Sequence, residues 1–151
     1  MSLKIAVACD HAGFRLKQTL LDFLRNKNIE FMDFGVNSAD SVDYPNYARM
    51  VCEAINSGEY NRGLLVCGSG IGMSIAANKF PGIRCALVHD NYGAKMSREH
   101  NNANVIAFGE RVTGSGVAVE AFDIWLHTNF LGDGTSHARR VAILDSLIAK
   151  N

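Results

Sequence analysis

The sequence has little of what marks an unusual class of protein. It holds two prolines among 151 residues and has a formal net charge of +0. No stretch approaches the roughly 18 consecutive apolar residues of a membrane-spanning helix. A disordered chain, a membrane protein and a nucleic-acid-binding protein with a basic surface are therefore all disfavoured. No signal peptide precedes the first apolar run, so we expect a cytoplasmic protein.

The chain also lacks any pair of cysteines in the C-x-x-C spacing of zinc sites and thioredoxin-like motifs. Most of its cysteines lie in apolar, strand-like runs, which predicts reduced thiols. No two histidines have the i, i+4 spacing with a glutamate that zinc hydrolases use. We therefore predict neither a metal site nor another cofactor.

Apolar runs alternate with helix-period stretches along the whole chain, without a repeat or a linker. Strands are predicted at residues 3–9, 30–34, 63–67, 83–88 and 104–108, and helices at 14–28, 44–56, 72–79, 91–100, 117–125 and about 137–149. This order predicts one α/β domain over residues 1–151. We expect a doubly wound, Rossmann-like three-layer sandwich around a five-stranded parallel sheet. The wide apolar face of the last helix predicts a subunit interface there.

Polar side chains follow several of the predicted strands. Ligands of open parallel sheets bind beyond the carboxyl ends of the strands, so these residues are the first candidates for a site. Asp10 and His11 follow the first strand, Arg111 follows the fifth, and His100 stands shortly before the fifth. We expect these side chains to gather along one edge of the sheet.

The run Gly68-Ser69-Gly70-Ile71-Gly72 stands directly before a predicted helix. Small residues let the backbone approach an anion, and the helix N-terminus offers unpaired N–H groups. The run predicts a nest for a phosphate or a developing oxyanion, although a tight turn without a ligand would use the same residues. A dinucleotide fingerprint fits less well, because it would need glycine at Met73 and would follow the first strand.

Cys67 immediately precedes this glycine loop. A cysteine at a strand end is commonly a small buried hydrophobe. Here the neighbouring helix N-terminus favours the thiolate, which is the reactive form of the side chain. Cys9 lacks such a loop, and Cys52 and Cys85 lie inside a helix and a strand, so we predict that Cys52 and Cys85 belong to the core.

Two further segments carry candidate residues. His100 lies in a polar run, and a surface histidine without a function is the alternative explanation. His137, Arg139 and Arg140 cluster at the start of the last helix, where the helix dipole disfavours cations. The cluster predicts an external anion such as phosphate, although a solvated basic turn would have the same composition.

Five segments in order carry a likeness to a known family. They are residues 8–14 (ACDHAGF) with 16–17 (LK), 43–45 (DYP), 67–79 (CGSGIGMSIAANK), 97–101 (SREHN) and 104–109 (NVIAFG) with Arg111. Together they resemble the type B ribose-5-phosphate isomerases, a family that also includes allose-6-phosphate and galactose-6-phosphate isomerases. The likeness runs over nearly the whole chain.

The resemblance implies roles for the matching residues. Cys67 would be the base that moves a proton between C1 and C2 through an enediolate, and Ser69 with the backbone N–H groups of residues 70–72 would surround the negative oxygen. His100 and Asp10 would help to open the sugar ring. The implied substrate-binding residues are His11, Tyr44, Gly68, Gly70, Ile71, Gly72 and Asn101, and the implied phosphate-binding residues are His11, Arg111, His137 and Arg140.

The resemblance further implies a phosphorylated pentose substrate and an active site shared between the subunits of a homodimer, or of a tetramer. One departure is Ser136, where many type B members carry arginine; Arg139 or His137 is the candidate replacement. A hexose 6-phosphate, allose or galactose, is therefore an alternative substrate. A non-catalytic sensor of sugar phosphates or nucleotides is the alternative of another class, but a binder needs no proton-shuttling thiol.

Overall fold

The computed structural model describes residues 2–148 and contains a five-stranded parallel sheet. The strands are β1 (Lys4–Cys9), β2 (Glu30–Asp33), β3 (Arg62–Cys67), β4 (Cys85–Leu87) and β5 (Val105–Gly109). The helices are α1 (Phe14–Asn26), α2 (Tyr44–Asn56), α3 (Ile71–Ala77), α4 (Asn91–Glu99), α5 (Ser115–His127) and α6 (Ser136–Ser146), with a 3₁₀ turn at His11–Gly13. The predicted α/β fold is confirmed. Residues 1 and 149–151, which the predicted domain included, lie outside the described part.

The strand order in the sheet is β2-β1-β3-β5-β4, and all neighbouring strands pair in parallel. The carboxyl ends of the strands therefore lie on one side of the sheet and the amino ends on the other. The chain leaves β1 toward β2 and leaves β3 toward β4, which lie on opposite sides of the β1–β3 pair. Open parallel sheets bind ligands at such a switch point. Cys67 at the end of β3 pairs with Gly109 at the end of β5. We call the side where these strands end the carboxyl edge, and the side where they begin the amino edge.

Helices cover both faces of the sheet and create two cores. Helices α1, α4 and α5 pack on one face, and α2 and α3 pack on the other. Alternate residues of β1 enter opposite cores: Ile5 and Val7 join the first, and Ala6 and Ala8 join the second. Because both faces are buried, the strands read as continuous apolar runs, which is why the sequence predicts them well.

Strand β4 is shorter than predicted. It spans Cys85–Leu87 rather than residues 83–88, because the backbone N–H of Arg84 donates to the side-chain oxygen of Asn104 at 2.8 Å instead of to a neighbouring strand. Helix α3 also ends early, at Ala77, and the following Asn78 side chain bonds both backbone groups of Cys85. Side-chain contacts from distant residues thus set both boundaries.

Helix α6 has few contacts with the rest of the molecule. Val141 is buried, whereas three apolar side chains around it are 54%, 43% and 73% exposed, namely Ile143, Leu144 and Leu147. An ion pair of 2.8 Å between Asp145 and Arg84 ties the helix to the body. Within residues 2–148, no helix combines the length and the apolar character that crossing a bilayer requires.

Candidate active site

A cavity of about 350 Å³ opens at the carboxyl edge of the sheet. The ends of β1, β3 and β5 and the start of α2 supply its lining, which consists of Asp10, His11, Ala12, Tyr44, Cys67, Gly68, Ser69, Gly72, Arg111 and Val112. Apart from Ala12 and Val112, the sequence analysis had singled out each of these residues. The structure therefore brings together a thiol, a hydroxyl, a carboxyl, an imidazole and a guanidinium.

Cys67 is 5% exposed and lines this cavity. Its Sγ accepts a hydrogen bond from the backbone N–H of Gly70 at 3.1 Å. Gly70 has a φ of 76°, and a Cβ there would come within 2.5 Å of Leu87 Cδ1. Only glycine lets the loop close over the sulfur in this way. The N–H contact holds the sulfur in place in the cavity lining.

The remaining three cysteines do not line this cavity. Burial raises the pKa of Cys9 to about 11 and that of Cys52 to about 12. Burial also raises the pKa of Cys85, which is partly exposed. These thiols stay protonated at neutral pH, in keeping with positions in or against the core.

The other loop N–H groups are partly engaged within the chain. The backbone N–H of Ile71 donates to Ser69 Oγ at 3.2 Å, and that of Gly70 is taken by the sulfur. Two of the three N–H groups expected around an oxyanion thus have partners in this structure. An accepting hydroxyl keeps its own proton to donate, so Ser69 itself is the better candidate donor to a negative oxygen.

Asp10 and His11 are both held by backbone N–H groups. Asp10 is 7% exposed, and its Oδ1 accepts from the N–H of Ala12 at 2.9 Å. Nδ1 of His11 accepts from the N–H of Val42 at 3.3 Å. An accepting Nδ1 fixes the neutral ring with its proton on Nε2, and this leaves an N–H donor for a ligand oxygen.

Arg111 lies beside the glycine loop, in a turn that is tied to two other elements. A Cβ on Gly68 would be 3.2 Å from its Nη1. The backbone N–H of Glu110 donates to the carbonyl of Cys67 at 2.9 Å, and the carboxylate of Glu110 accepts from the N–H of Leu16 at 2.7 Å. Glu110 follows the fifth predicted strand, but the sequence assigns it no role, because nothing local to it points to a partner 94 positions away.

Close packing also explains two glycines around the cavity. A Cβ on Gly72 would be 2.8 Å from the ring of Tyr44, which is 38% exposed and forms one wall. A Cβ on Gly109 would be 2.5 Å from the backbone of Ser69. The sequence analysis did not assign Gly109 to the site, although a glycine that ends a buried strand is a signal of close backbone approach.

The other candidate residues do not line this cavity. His100 and His137 stack on each other, with parallel rings and centroids 4.1 Å apart. Asn101 lines a separate cavity of about 480 Å³ beside β4 and α6, and Arg140 is exposed on α6. Helix α4 runs back from the carboxyl edge, so His100 at its end lies at the amino edge. The expectation that His100 joins the same edge as Cys67 is wrong for a single chain.

The separation of the two groups is large. Strand β5 has five residues and rises about 3.3 Å per residue, which puts roughly 13 Å between its ends. One copy of the chain therefore cannot bring the His100 imidazole to the Cys67 sulfur. Among residues 2–148, no three histidine, cysteine, aspartate or glutamate side chains come together as a metal site would need.

Comparison with known proteins places this geometry in context. A family model described as Ribose/Galactose Isomerase matches residues 5–144. A Bacillus subtilis (strain 168) protein called a putative sugar phosphate isomerase is 47% identical over 150 residues, 99% of each chain. A Listeria innocua protein called ribose-5-P isomerase B is 44% identical over 149 residues, again 99% of each. The structure of Clostridium thermocellum ribose-5-phosphate isomerase B superposes with a TM-score of 0.93 at 47% identity, covering 96% of this chain and 97% of that one.

Proposed function

Because the chain belongs to the ribose/galactose isomerase family, we propose that it interconverts D-ribose 5-phosphate and D-ribulose 5-phosphate, with Cys67 as the proton-transfer base. Its relatives make it a sugar-phosphate isomerase, and the ribose assignment follows the names of the Listeria and Clostridium proteins. The observation that carries the proposal is the hydrogen bond from Gly70 N–H to Cys67 Sγ in a cavity that Asp10, His11 and Arg111 also line.

The proposed reaction is a proton transfer between two carbons. The Cys67 thiolate removes the proton from C2 of open-chain ribose 5-phosphate, and the released electron pair forms a C1–C2 enediolate with its negative charge on O1. The thiol then returns the proton to C1, and the C2 hydroxyl passes its proton to O1, so that C2=O forms and O1 becomes a hydroxyl. Ser69 donates its hydroxyl proton toward the negative oxygen. A base that is ionised near neutral pH and a donor for the oxyanion are the two requirements of this chemistry.

The phosphate and the ring need separate contacts. The Nε2–H of His11 and the guanidinium of Arg111 would hold the phosphate, since both lie in the cavity and both are donors. Asp10 would take part in ring opening as a proton acceptor. Tyr44 would lie against the sugar. Binding of the phosphate then fixes the reacting carbons over the sulfur.

We propose that a second copy of the chain completes the site. His100, Asn101, His137 and Arg140 lie at the amino edge, so their assigned roles require the amino edge of one copy to face the carboxyl edge of another. A twofold axis satisfies this at two sites at once. Apolar surfaces are present on both sides: Ile71 and Ile75 of α3 are 52% and 56% exposed beside the Cys67 cavity. The 480 Å³ cavity beside Asn101 has leucines of α6 in its wall.

The test is turnover of ribose 5-phosphate in the presence of a chelator. We expect activity for the native chain, an about 1,000-fold loss for Cys67→Ala, and a change within about threefold for Cys9→Ala, since a positioned general base contributes about 100- to 10,000-fold. Cys9 ends the neighbouring strand and is the matched control. Normal turnover by Cys67→Ala would overturn the mechanism.

The same assay with allose 6-phosphate and galactose 6-phosphate tests the substrate. Ser136 is exposed at the start of α6, where its side chain is shorter than the arginine of many type B enzymes. A longer sugar phosphate is therefore the second candidate. A higher kcat/KM for either hexose phosphate than for ribose 5-phosphate would replace the ribose assignment.

A further inference from the structure

Lys17 is a buried lysine that the proposed chemistry does not use. It lies on α1 and its side chain is 0% exposed. Its Nζ is 2.9 Å from Asp33 Oδ1 and donates to the carbonyl of Val36 at 2.6 Å. Burying an ammonium is costly unless it is paired and hydrogen-bonded, so an apolar side chain would fill this space at lower cost. The two contacts of the ammonium therefore offset the cost of its burial.

Both contacts hold the segment of residues 33–36, which continues from β2. Gly35 N–H donates to Asp33 Oδ1 at 2.9 Å. Cys9 N–H donates to the carbonyl of Gly35 at 2.7 Å, and Val36 N–H donates to the carbonyl of Cys9 at 3.0 Å. Residues 33–36 thus pair with Cys9, the last residue of β1, which immediately precedes Asp10 and His11. Lys17 contacts the same segment through Asp33 and Val36.

From this segment the chain enters residues 37–43, which have no regular secondary structure. Val42 in this loop makes the N–H contact that fixes the His11 ring, and the loop then delivers Tyr44 to Gly72. The loop is therefore anchored before residue 37 by Lys17 and after residue 43 by α2.

We propose that Lys17 is a positioning residue for phosphate binding: its ammonium fixes residues 33–36 and, through the loop they begin, the orientation of His11. Two directional hydrogen bonds to one nitrogen set the place of the segment more narrowly than apolar packing does, and a pre-set loop binds ligand without an ordering cost. This inference rests on the proposed function, in which His11 holds the substrate phosphate.

The test compares Lys17→Met with Arg25→Met. Both substitutions remove a cation from α1, but Arg25 pairs with Asp22 at the surface and is 54% exposed. We expect Lys17→Met to raise KM for the sugar phosphate about tenfold while kcat stays within about threefold, because the displaced contact binds phosphate and not the reacting carbons. Arg25→Met should leave both constants unchanged. An unchanged KM in folded Lys17→Met would overturn the proposal.

A second pair of variants separates positioning from the effect of a stranded carboxylate. Adding Asp33→Asn to Lys17→Met removes the unpaired charge, so the double variant should recover thermal stability but keep the raised KM. Recovery of KM as well would mean that the Asp33 charge alone caused the defect, against the proposal. If Lys17→Met does not fold, Asp33→Asn alone carries the test, with a smaller rise in KM expected and an unchanged KM counting against the proposal.

A spectroscopic measurement keeps this inference distinct from the proposed function. The ¹⁵N shifts of the His11 ring should report the Nε2–H tautomer in the native chain and a tautomer mixture in Lys17→Met. If the native chain turns over no sugar phosphate, the proposed function is wrong. A tautomer change in Lys17→Met would even then support the coupling of Lys17 to His11. A His11 ring that is the same in both proteins would overturn the coupling even if the native enzyme is active.

Discussion

The side chains that line the cavity at the carboxyl edge and the arginines of the amino edge make opposite kinds of contact with the backbone. At the carboxyl edge, backbone N–H groups donate to side chains: Gly70 to Cys67, Ala12 to Asp10, and Val42 to His11. At the amino edge, side chains donate to backbone carbonyls: Arg98 to Thr128 and Ala103, and Arg84 to Asn102. The first pattern holds acceptors and a thiol in place for a ligand, and the second completes the backbone hydrogen bonding of the fold.

Arg62, Arg84 and Arg98 at the amino edge therefore belong to the structure rather than to a ligand site. Arg98 is 3% exposed, and burial, together with Arg62 and Arg84, lowers the pKa of its guanidinium to about 10. The guanidinium carbons of Arg62 and Arg98 lie 5.9 and 6.0 Å from the ring centre of Trp125. In the proposed dimer this edge would present the His100–His137 stack to a second copy.

The strongest test of a site shared between two subunits combines a variant at the carboxyl edge with a variant at the amino edge. Cys67→Ala and His100→Ala should each lose about 100- to 1,000-fold in turnover on their own. Co-expressed, they should recover about a quarter of the native activity, because each mixed dimer has one site with both groups intact. Co-expression of Cys67→Ala with Asp10→Ala, both at the carboxyl edge, should recover nothing. Absence of recovery in the first mixture would contradict a shared site.

The glycine loop can be tested against a glycine elsewhere in the fold. Gly70→Ala should lower the free energy of unfolding by about 3 kcal/mol, because the left-handed backbone and the 2.5 Å approach of Leu87 both oppose a Cβ. Gly116→Ala in α5 meets nothing within 4 Å and should raise it by about 0.5 kcal/mol. Denaturant unfolding checks both, and equal effects of the two substitutions would refute the account.

Cys9 ends the strand next to the one that Cys67 ends, and the pH dependence of the free energy of unfolding tests how deeply the Cys9 thiol is buried. Burial raises the pKa of Cys9 to about 11 in the folded chain, so above pH 9 the unfolded thiol ionises while the folded thiol does not. The stability that this provides is complete below pH 9 and is lost as pH rises toward 11. Relative to Cys9→Ala, we expect the native free energy of unfolding to fall by about 1–2 kcal/mol more over this interval. Parallel pH profiles of the two proteins would argue against it.

The smallest expected effect concerns the attachment of α6 at the amino edge. Asp145→Asn removes the ion pair with Arg84, whose partners are 43% and 18% exposed. Such pairs contribute little, so we expect a loss of about 0.5 kcal/mol in the free energy of unfolding. The loss should shrink at high salt. A large loss that does not depend on salt would show that this ion pair contributes more to the attachment of α6 than an exposed pair does.

Much of the fold could be predicted because its signals are local. The strands are buried on both faces and the helices have apolar stripes, so each element appears in a short window of sequence. The ends of α3 and β4 could not be predicted, since the side chains of Asn78 and Asn104 decide them from outside the elements. Long-range contacts of this kind leave no periodic signal.

Part of the candidate site could likewise be predicted from local signals, and part could not. The rule that ligands bind where parallel strands end located Asp10, His11, Cys67 and Arg111. The rule misplaced His100, because its nearness in sequence to β5 says nothing about which end of that strand it adjoins. Lys17 and Glu110 could not be given a role from the sequence, because their partners lie 16 or more positions away in the chain. A lysine on an amphipathic helix is ordinarily read as part of the solvated side.

The distance that β5 spans has a consequence for how the protein behaves on dilution. Each chain carries the Cys67 thiol beside the carboxyl end of that strand and the stacked imidazoles of His100 and His137 toward its amino end, so in the proposed dimer a lone chain holds two incomplete halves of a site. Specific activity would then depend on protein concentration, and would vanish once subunits separate rather than decline to a slower monomeric rate.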